Sequence, residues 1–191
     1  MELLSNNVVA LIPIQKEHAS GILTAAQFPE IWTYMSVTLS TLPEVEAYIG
    51  LWQQKARQSS ACAFTVVDQQ TQQIVGVTTF MDISTAHRHL EIGSTWYTPS
   101  VWRSAVNTNC KYLLLQYAFE TMNMQRVQIK TGHENKRSQR AIERIGATKE
   151  GVLRNHMVQR DGRTRHTVMY SIIAEEWPHI KQYFKDVLQV N

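Results

Sequence analysis

Leu90-Glu91-Ile92-Gly93-Ser94-Thr95-Trp96-Tyr97, then Thr98-Pro99-Ser100 and Val101-Trp102-Arg103-Ser104-Ala105-Val106, opens the stretch on which the fold of this chain turns. The stretch continues to Ile145 and reads strand, short loop, helix, strand, helix. In its first strand Leu90, Ile92 and Trp96 alternate with Glu91, Gly93, Thr95 and Tyr97, the period-two pattern of a strand. Pro99 stops it, because proline cannot donate to a continuing ladder. The helix start follows at Asn107-Thr108-Asn109. Cys110, Leu113, Leu114, Tyr117, Ala118 and Thr121 then fall on one face of a long amphipathic helix. Val127, Ile129 and Thr131 alternate as a second strand, and residues 135–145 read as a second helix stopped by Gly146. A loop of small residues entering a helix offers free backbone N–H groups and a positive dipole end, which suits a phosphate. A strand–loop–helix anion site is the first inference.

Around this stretch lies one substantial core's length of chain. At 191 residues, 43% hydrophobic and 18% charged, the composition is that of a globular protein of one domain, residues 1–191. The net charge of +3 permits an anionic ligand without calling for nucleic acid. Cys62 and Cys110 are too few for a disulfide framework and lack metal spacing. Reduced thiols, no basic n-region in the first residues and no apolar run of about 20 residues predict a cytoplasmic protein without a membrane span.

Residues 8–12 form a β-rich run ended by Pro13, and residues 16–28 carry Ala19, Ile22, Leu23 and Ala26 on one helical stripe. Residues 31–35 are apolar and aromatic and fit either core or a cleft wall. Thr41-Leu42-Pro43-Glu44 holds a cap, a proline and an acid, which start a helix. Residues 63–68 and 74–82 read as strands joined by the polar turn Gln69-Gln70-Thr71-Gln72-Gln73. Residues 148–158 and 164–172 flank Arg160-Asp161-Gly162-Arg163, a hairpin signal. A last helix starts at Glu175-Glu176-Trp177-Pro178. The element order predicts a mixed α/β sheet covered by helices.

At Leu90-Glu91-Ile92-Gly93, Asn107-Thr108 with Lys111, Tyr117-Ala118-Phe119-Glu120, Arg126-Val127, Asn135-Lys136-Arg137-Ser138, Ile145-Gly146-Ala147, residues 150–154, Asp161-Gly162-Arg163 and Glu176-Trp177-Pro178, the chain resembles the Gcn5-related N-acetyltransferase (GNAT) superfamily. The likeness is strongest to its branch of ribosomal-protein N-terminal acetyltransferases and covers roughly residues 11–177. Each piece is weak alone; their order and spacing are specific. The resemblance implies an acyl-CoA N-acyltransferase fold with splayed central parallel strands, acetyl-coenzyme A as donor and a primary amine as acceptor. It places the pyrophosphate on the backbone amides of the loop and helix start at Arg103, Ser104, Ala105, Val106, Asn107 and Thr108. The pantetheine then lies between the strand of Trp96, Tyr97 and Thr98 and the strand of residues 127–131. Asn135 would meet the pantetheine, and Ser138, one turn on, would lie near the thioester sulfur. One departure stands out: the family loop has glycines, and residues 102–107 have none. Glycine lets backbone approach a phosphate closely, and Ala105 is the smallest step away from it. Asn107 is expected to cap the helix, and Arg103 to add a direct phosphate contact.

Acetyl transfer to an amine needs a neutral nucleophile, a donor to the developing oxyanion and a proton for the departing thiolate. Holding the reactants in line can supply on the order of 7–11 kcal/mol. An α-amine, of reference pKa ~8, deprotonates more readily than a lysine at ~10.4. Glu91 is the candidate base, against the plain alternative of a salt-bridged strand residue. Ser138 could donate to the leaving sulfur, and backbone N–H near Trp96 and Tyr97 could polarise the carbonyl. The spacings of His87, His89, His133, His156 and His166 fit no compact zinc signature, so no metal is expected. No Gly-x-Ser-x-Gly elbow is present, and Cys110 reads as packing. The basic runs at residues 136–140 and 160–165 fall short of a nucleic-acid module. The expected acceptor is the N-terminal amine of a protein or peptide, with a ribosomal-protein N-terminus as one candidate. The alternatives are a small amine (polyamine, amino acid or aminoglycoside) or a non-catalytic coenzyme A sensor. Monomer and homodimer stay open.

Overall fold

The computed structural model describes residues 1–159 and 161–190. Thirteen helices and strands of this range matter here. The strands are β1 (Leu4–Ser5), β2 (Val9–Pro13), β3 (Cys62–Asp68), β4 (Gln73–Ser84), β5 (His89–Tyr97), β6 (Arg126–Gly132), β7 (Thr148–Val158) and β8 (Thr164–Ile173). The helices are α1 (Ala19–Ala25), α2 (Leu42–Arg57), α3 (Val106–Gln116), α4 (Lys136–Arg144) and α5 (Trp177–Asp186). The strands form one sheet in the order β1-β2-β3-β4-β5-β6-β8-β7. All neighbours are antiparallel except β5 and β6. Arg160, part of the expected hairpin turn, lies outside the described residues.

Two cores sit on the two faces. One gathers Phe64, Phe80, Leu90, Ile92, Val127 and Tyr170 from the sheet with Cys110 and Leu114 of α3, Ile142 of α4 and Phe184 of α5. The other packs Ala63, Val77 and Trp96 against Ile22 of α1 and Val45, Ile49 and Trp52 of α2. The expected amphipathic stripe on α3 is corrected by this packing. Residues 108–115 are all buried, because α3 lies between the sheet and α5. Tyr112 meets Phe184 at 5.4 Å between ring centroids, and Asn109 Oδ1 accepts from Asn6 Nδ2 at 2.7 Å. Past Gln116 the helix widens into a π segment at Tyr117–Thr121. Glu120 within it accepts from Trp177 Nε1 at 2.8 Å and Lys181 Nζ at 2.7 Å, fastening α5 across it.

Several boundaries follow local chemistry. Thr41 and Glu44 form the reciprocal capping box that starts α2: Glu44 Oε2 accepts from Thr41 N at 3.0 Å. Asn135 caps α4, its Oδ1 accepting from Ser138 N at 3.0 Å. Gly146, at φ 87°, takes the left-handed position after that helix. The helix expected over residues 16–28 is shorter, a 3-10 turn at Lys16–His18 leading into α1. Residues 31–35 fall largely in a second 3-10 turn, Pro29–Tyr34.

The alternation expected along β5 fails at one point that shapes the site. Thr79 pairs with Gly93, but Val77 pairs with Trp96, so β5 carries one more residue than β4 across the interval. This is a β-bulge, and Ser94 sits in it at φ 44°. A bulge bends its strand and resets which way the later side chains face. Leu90 and Ile92 therefore join the α3 core while Trp96 joins the α1–α2 core. Beside the bulge, an added Cβ at Gly76 would lie 2.2 Å from the Trp96 carbonyl oxygen. Only glycine lets β4 and β5 come this close.

Gly76→Ala is expected to destabilise the protein by about 1–3 kcal/mol through overpacking. Gly50→Ala on α2, where an added methyl meets nothing within 4 Å, is expected to stabilise by about 0.5–1 kcal/mol. Urea unfolding of both variants checks the pair.

Candidate active site

The parallel ladder between β5 and β6 is three pairs long: His89 with Arg126, Leu90 with Val127, Glu91 with Gln128. Beyond it β5 stays with β4 out to Tyr97, and β6 stays with β8 out to Gly132. The two strands therefore part. Residues 92–97 and 129–132 face each other across an opening with unpaired main-chain edges, which an extended ligand with amide groups can bridge.

At the wide end lies the loop into α3. Trp102 Nε1 donates to the Tyr97 carbonyl at 2.8 Å, folding the loop back on the strand. Arg103 holds φ 63° and is exposed, so the chain makes its left-handed turn here without glycine. Ser104 Oγ accepts from Val106 N at 3.2 Å. The first intrahelical bond runs from Asn109 N to the Ala105 carbonyl at 2.9 Å. The expected cap at Asn107 is therefore corrected. The turn at Arg103 starts α3 early, Ala105 is the N-cap, and Asn107 is the second helical residue. The amides of Ala105, Asn107 and Thr108 precede the first intrahelical donor and point along the positive end of the dipole. Thr108 itself is buried, its Oγ1 accepting from Arg144 at 2.7 Å. Arg137, in the first turn of α4, lies 4.0 Å over the Trp102 ring. Exposed Arg103 and Arg137 thus flank one loop. These features fit a pyrophosphate.

Trp96 and Tyr97 present main chain to the opening and bury their side chains on opposite faces. Trp96 packs 5.2 Å from Trp32 between ring centroids, and Tyr97 lies in the α3 core. Thr98 N donates to the Val75 carbonyl at 2.8 Å, holding the strand end. Asn135 and Ser138 lie across the opening at the start of α4, both half-buried. The Asn135 side-chain oxygen is committed to the cap. Ser138 gives that cap its amide.

At the narrow end Glu91 is 1% exposed. Lys130 Nζ stands 2.8 Å from its Oε2, and Gln128 Nε2 donates to the same oxygen at 3.0 Å. The ion pair compensates a carboxylate that burial alone would make costly. On the same side, Ser94 at the bulge faces Tyr48 of α2. Burial pushes the Tyr48 hydroxyl above its ordinary range, with Trp96, Trp52 and Ser94 opposing. Sequence reading missed Gln128 and Lys130 as companions of Glu91. Their alternation with Val127 and Ile129 was the available clue.

Cys110 is fully buried, its thiol pushed up to about 12 by desolvation, which agrees with packing and not nucleophilic chemistry. Its neighbour Lys111 is also buried, and desolvation brings its ammonium down to about 8, against the opposing influence of Cys110 and Glu91.

The model of the acetyltransferase (GNAT) domain matches residues 9–148, and the chain belongs to that family. It is an N-acetyltransferase with acetyl-CoA as co-substrate. A GCN5-related N-acetyltransferase from Brucella melitensis superposes with a TM-score of 0.88 at 28% identity, covering 96% of this chain and 83% of that one. An uncharacterized N-acetyltransferase, p20, of Bacillus licheniformis is 24% identical over 93% of this chain and 99% of its own length. The ribosomal protein uS5-alanine N-acetyltransferase of Escherichia coli K12 is 24% identical over 69% of this chain and 68% of its own length. Among the described residues, no helix is long and apolar enough to cross a membrane.

Arg137→Ala removes the cation–π contact that steadies the loop, worth about 0.5–1 kcal/mol at an exposed site. Acetyl-CoA affinity by calorimetry is expected to fall by the corresponding factor, roughly two- to five-fold. Unchanged affinity would show that Arg137 does not support the loop.

Proposed function

We propose that the acceptor is the N-terminal α-amine of a protein or peptide, acetylated by direct attack in a ternary complex in the cytoplasm. The observation that carries this reading is the state of the carboxylates near the opening. Glu91 is already neutralised by Lys130. An open groove of about 280 Å³ beside Trp32, lined by Ala26, Gln27, Pro29, Trp32, Thr38, Leu39 and Ser40, carries no acid. A polyamine or aminoglycoside needs clustered negative charge, whereas an uncharged groove suits extended peptide. The likeness to the uS5-alanine enzyme supports the same acceptor class, with ribosomal-protein N-termini as candidates.

In this reading the amides of Ala105, Asn107 and Thr108, with Arg103, hold the pyrophosphate. The pantetheine runs beside Trp96, Tyr97 and Thr98 and meets Asn135 across the opening. Glu91 accepts the amine proton through water, with Lys130 keeping the carboxylate in place. An α-amine at ~8 asks little of that base. Ser138 donates a hydrogen bond to the sulfur. An N–H of the bulged strand polarises the carbonyl.

Coenzyme A release with a panel of peptides and polyamines tests the acceptor. Peptides with free N-termini are expected to accelerate release and N-acetyl-blocked peptides are not. Faster turnover of spermidine than of any peptide would contradict the proposal. Glu91→Gln is expected to lower kcat by ~10²–10⁴ while leaving acetyl-CoA affinity unchanged. Full activity in that variant would remove Glu91 from the mechanism.

A further inference from the structure

Lys111 is anomalous in this structure. It lies on α3, 6% exposed, in a run where every residue from 108 to 115 is buried. Lysine is almost never buried unless paired, and no ion pair is formed by its ammonium among the described residues. Its hydrogen bond is to Thr95 Oγ1 at 3.3 Å, and that hydroxyl lies 2.8 Å from Thr78 Oγ1. Thr95 follows Ser94 in the bulge, four residues past the point where β5 and β6 part. The side chain of Lys111 thus ends beneath β5 on the α3 side of the sheet, at Thr95 in the segment that parts from β6.

The groups that face it are few. Glu91 on β5 acts on it through space but is held by Lys130 and Gln128. Arg165 of β8 also feels Glu91. Cys110 beside it and the Tyr97 hydroxyl are each pushed up by burial and carry no charge near neutrality. A cation is therefore kept dry, with one threonine hydroxyl as its hydrogen-bond partner, beneath the part of β5 that borders the opening. A lone buried ammonium carries a desolvation cost that one hydrogen bond offsets only in part. A charged group buried at such a cost beside the segment that borders the opening is a functional candidate.

We propose that Lys111 is a further catalytic residue of the transfer, its ammonium stabilising and then protonating the coenzyme A thiolate as it leaves. The inference rests on the reading that acetyl-CoA lies in the β5–β6 opening. The acceptor nitrogen bonds to the carbonyl carbon, and its proton passes through water to Glu91. As the tetrahedral intermediate collapses, the carbon–sulfur bond breaks and sulfur keeps the electron pair. A proton moves from Lys111 Nζ to that sulfur. Glu91 then returns its proton to Lys111 through solvent, and no net proton is gained or lost. Ser138 can orient the sulfur, but a serine hydroxyl is too weak an acid to supply the proton. Lys111, lowered to about 8 by desolvation, is close to a thiol of ~8.5 in proton affinity, the matching that efficient transfer requires.

The test is ultraviolet titration of the thiolate of coenzyme A bound to the whole protein, with Lys111→Met and Lys111→Arg beside wild type. In wild type the bound thiol is expected to ionise below the ~8.5 of a free cysteine thiol. In Lys111→Met the thiolate fraction at a given pH falls at least about tenfold, one pKa unit. Lys111→Arg keeps the charge and retains the lowered thiol value. In turnover, Lys111→Met is expected to lose ~10²–10⁴ in kcat with the KM for acetyl-CoA unchanged. The wild-type rate falls above about pH 8, where Lys111 gives up its proton. That descending limb is absent from Lys111→Arg, whose guanidinium keeps its proton. A purely structural lysine would move neither the bound-thiol titration nor the limb. Equal thiol titration in wild type and Lys111→Met would overturn the role of Lys111 alone. Failure of wild type to bind coenzyme A at all would instead overturn the donor-site reading, and this role with it.

Discussion

The early end of the β5–β6 ladder is the constraint on which the site depends. Three residue pairs hold the strands together, and the bulge at Ser94 then turns β5 away while β6 follows β8. Every main-chain group beyond Glu91 and Gln128 on the facing edges is left without a strand partner. Sheets do not leave such edges in the middle of a core without use, because unpaired buried amides and carbonyls are costly. The opening is stable because each strand is anchored on its other side, β5 by close approach to Gly76 and β6 by seven pairs with β8.

The bulge does a second thing. By shifting the facing of β5, it sends Trp96 into the α1–α2 core and leaves Glu91 and Ser94 on that same side, with Thr95 and Tyr97 towards α3. The opening thus has two chemically distinct sides. One carries the Glu91–Lys130 pair and the other the ammonium of Lys111. Acid–base chemistry on opposite sides of one thioester needs such a separation.

Much of this was legible in the chain. The cap and first-turn acid at Thr41 and Glu44, the helix start at Asn135 and the stop at Gly146 are local signals whose geometry is set within four residues, and the structure places them where the sequence does. The two-residue strand β1 was not visible, since its pairing with β2 is decided by tertiary contact. The start of α3 moved because Arg103 adopts a left-handed turn that residue type does not announce. The bulge was hidden by the even alternation around it. Lys111 illustrates the limit best: flanked by Cys110 and Tyr112, it read as part of a helix with one wet face. Only the position of α5 shows that this helix has none.

The central claim is that the donor thioester and its pantetheine lie between β5 and β6. Hydrogen–deuterium exchange of the full chain with and without acetyl-CoA tests it most directly. The account predicts that added acetyl-CoA slows exchange at residues 92–97 and 129–132 and at the start of α3, with β2 and β3 unchanged. Binding that leaves those edges exchanging freely, with protection elsewhere, would contradict it.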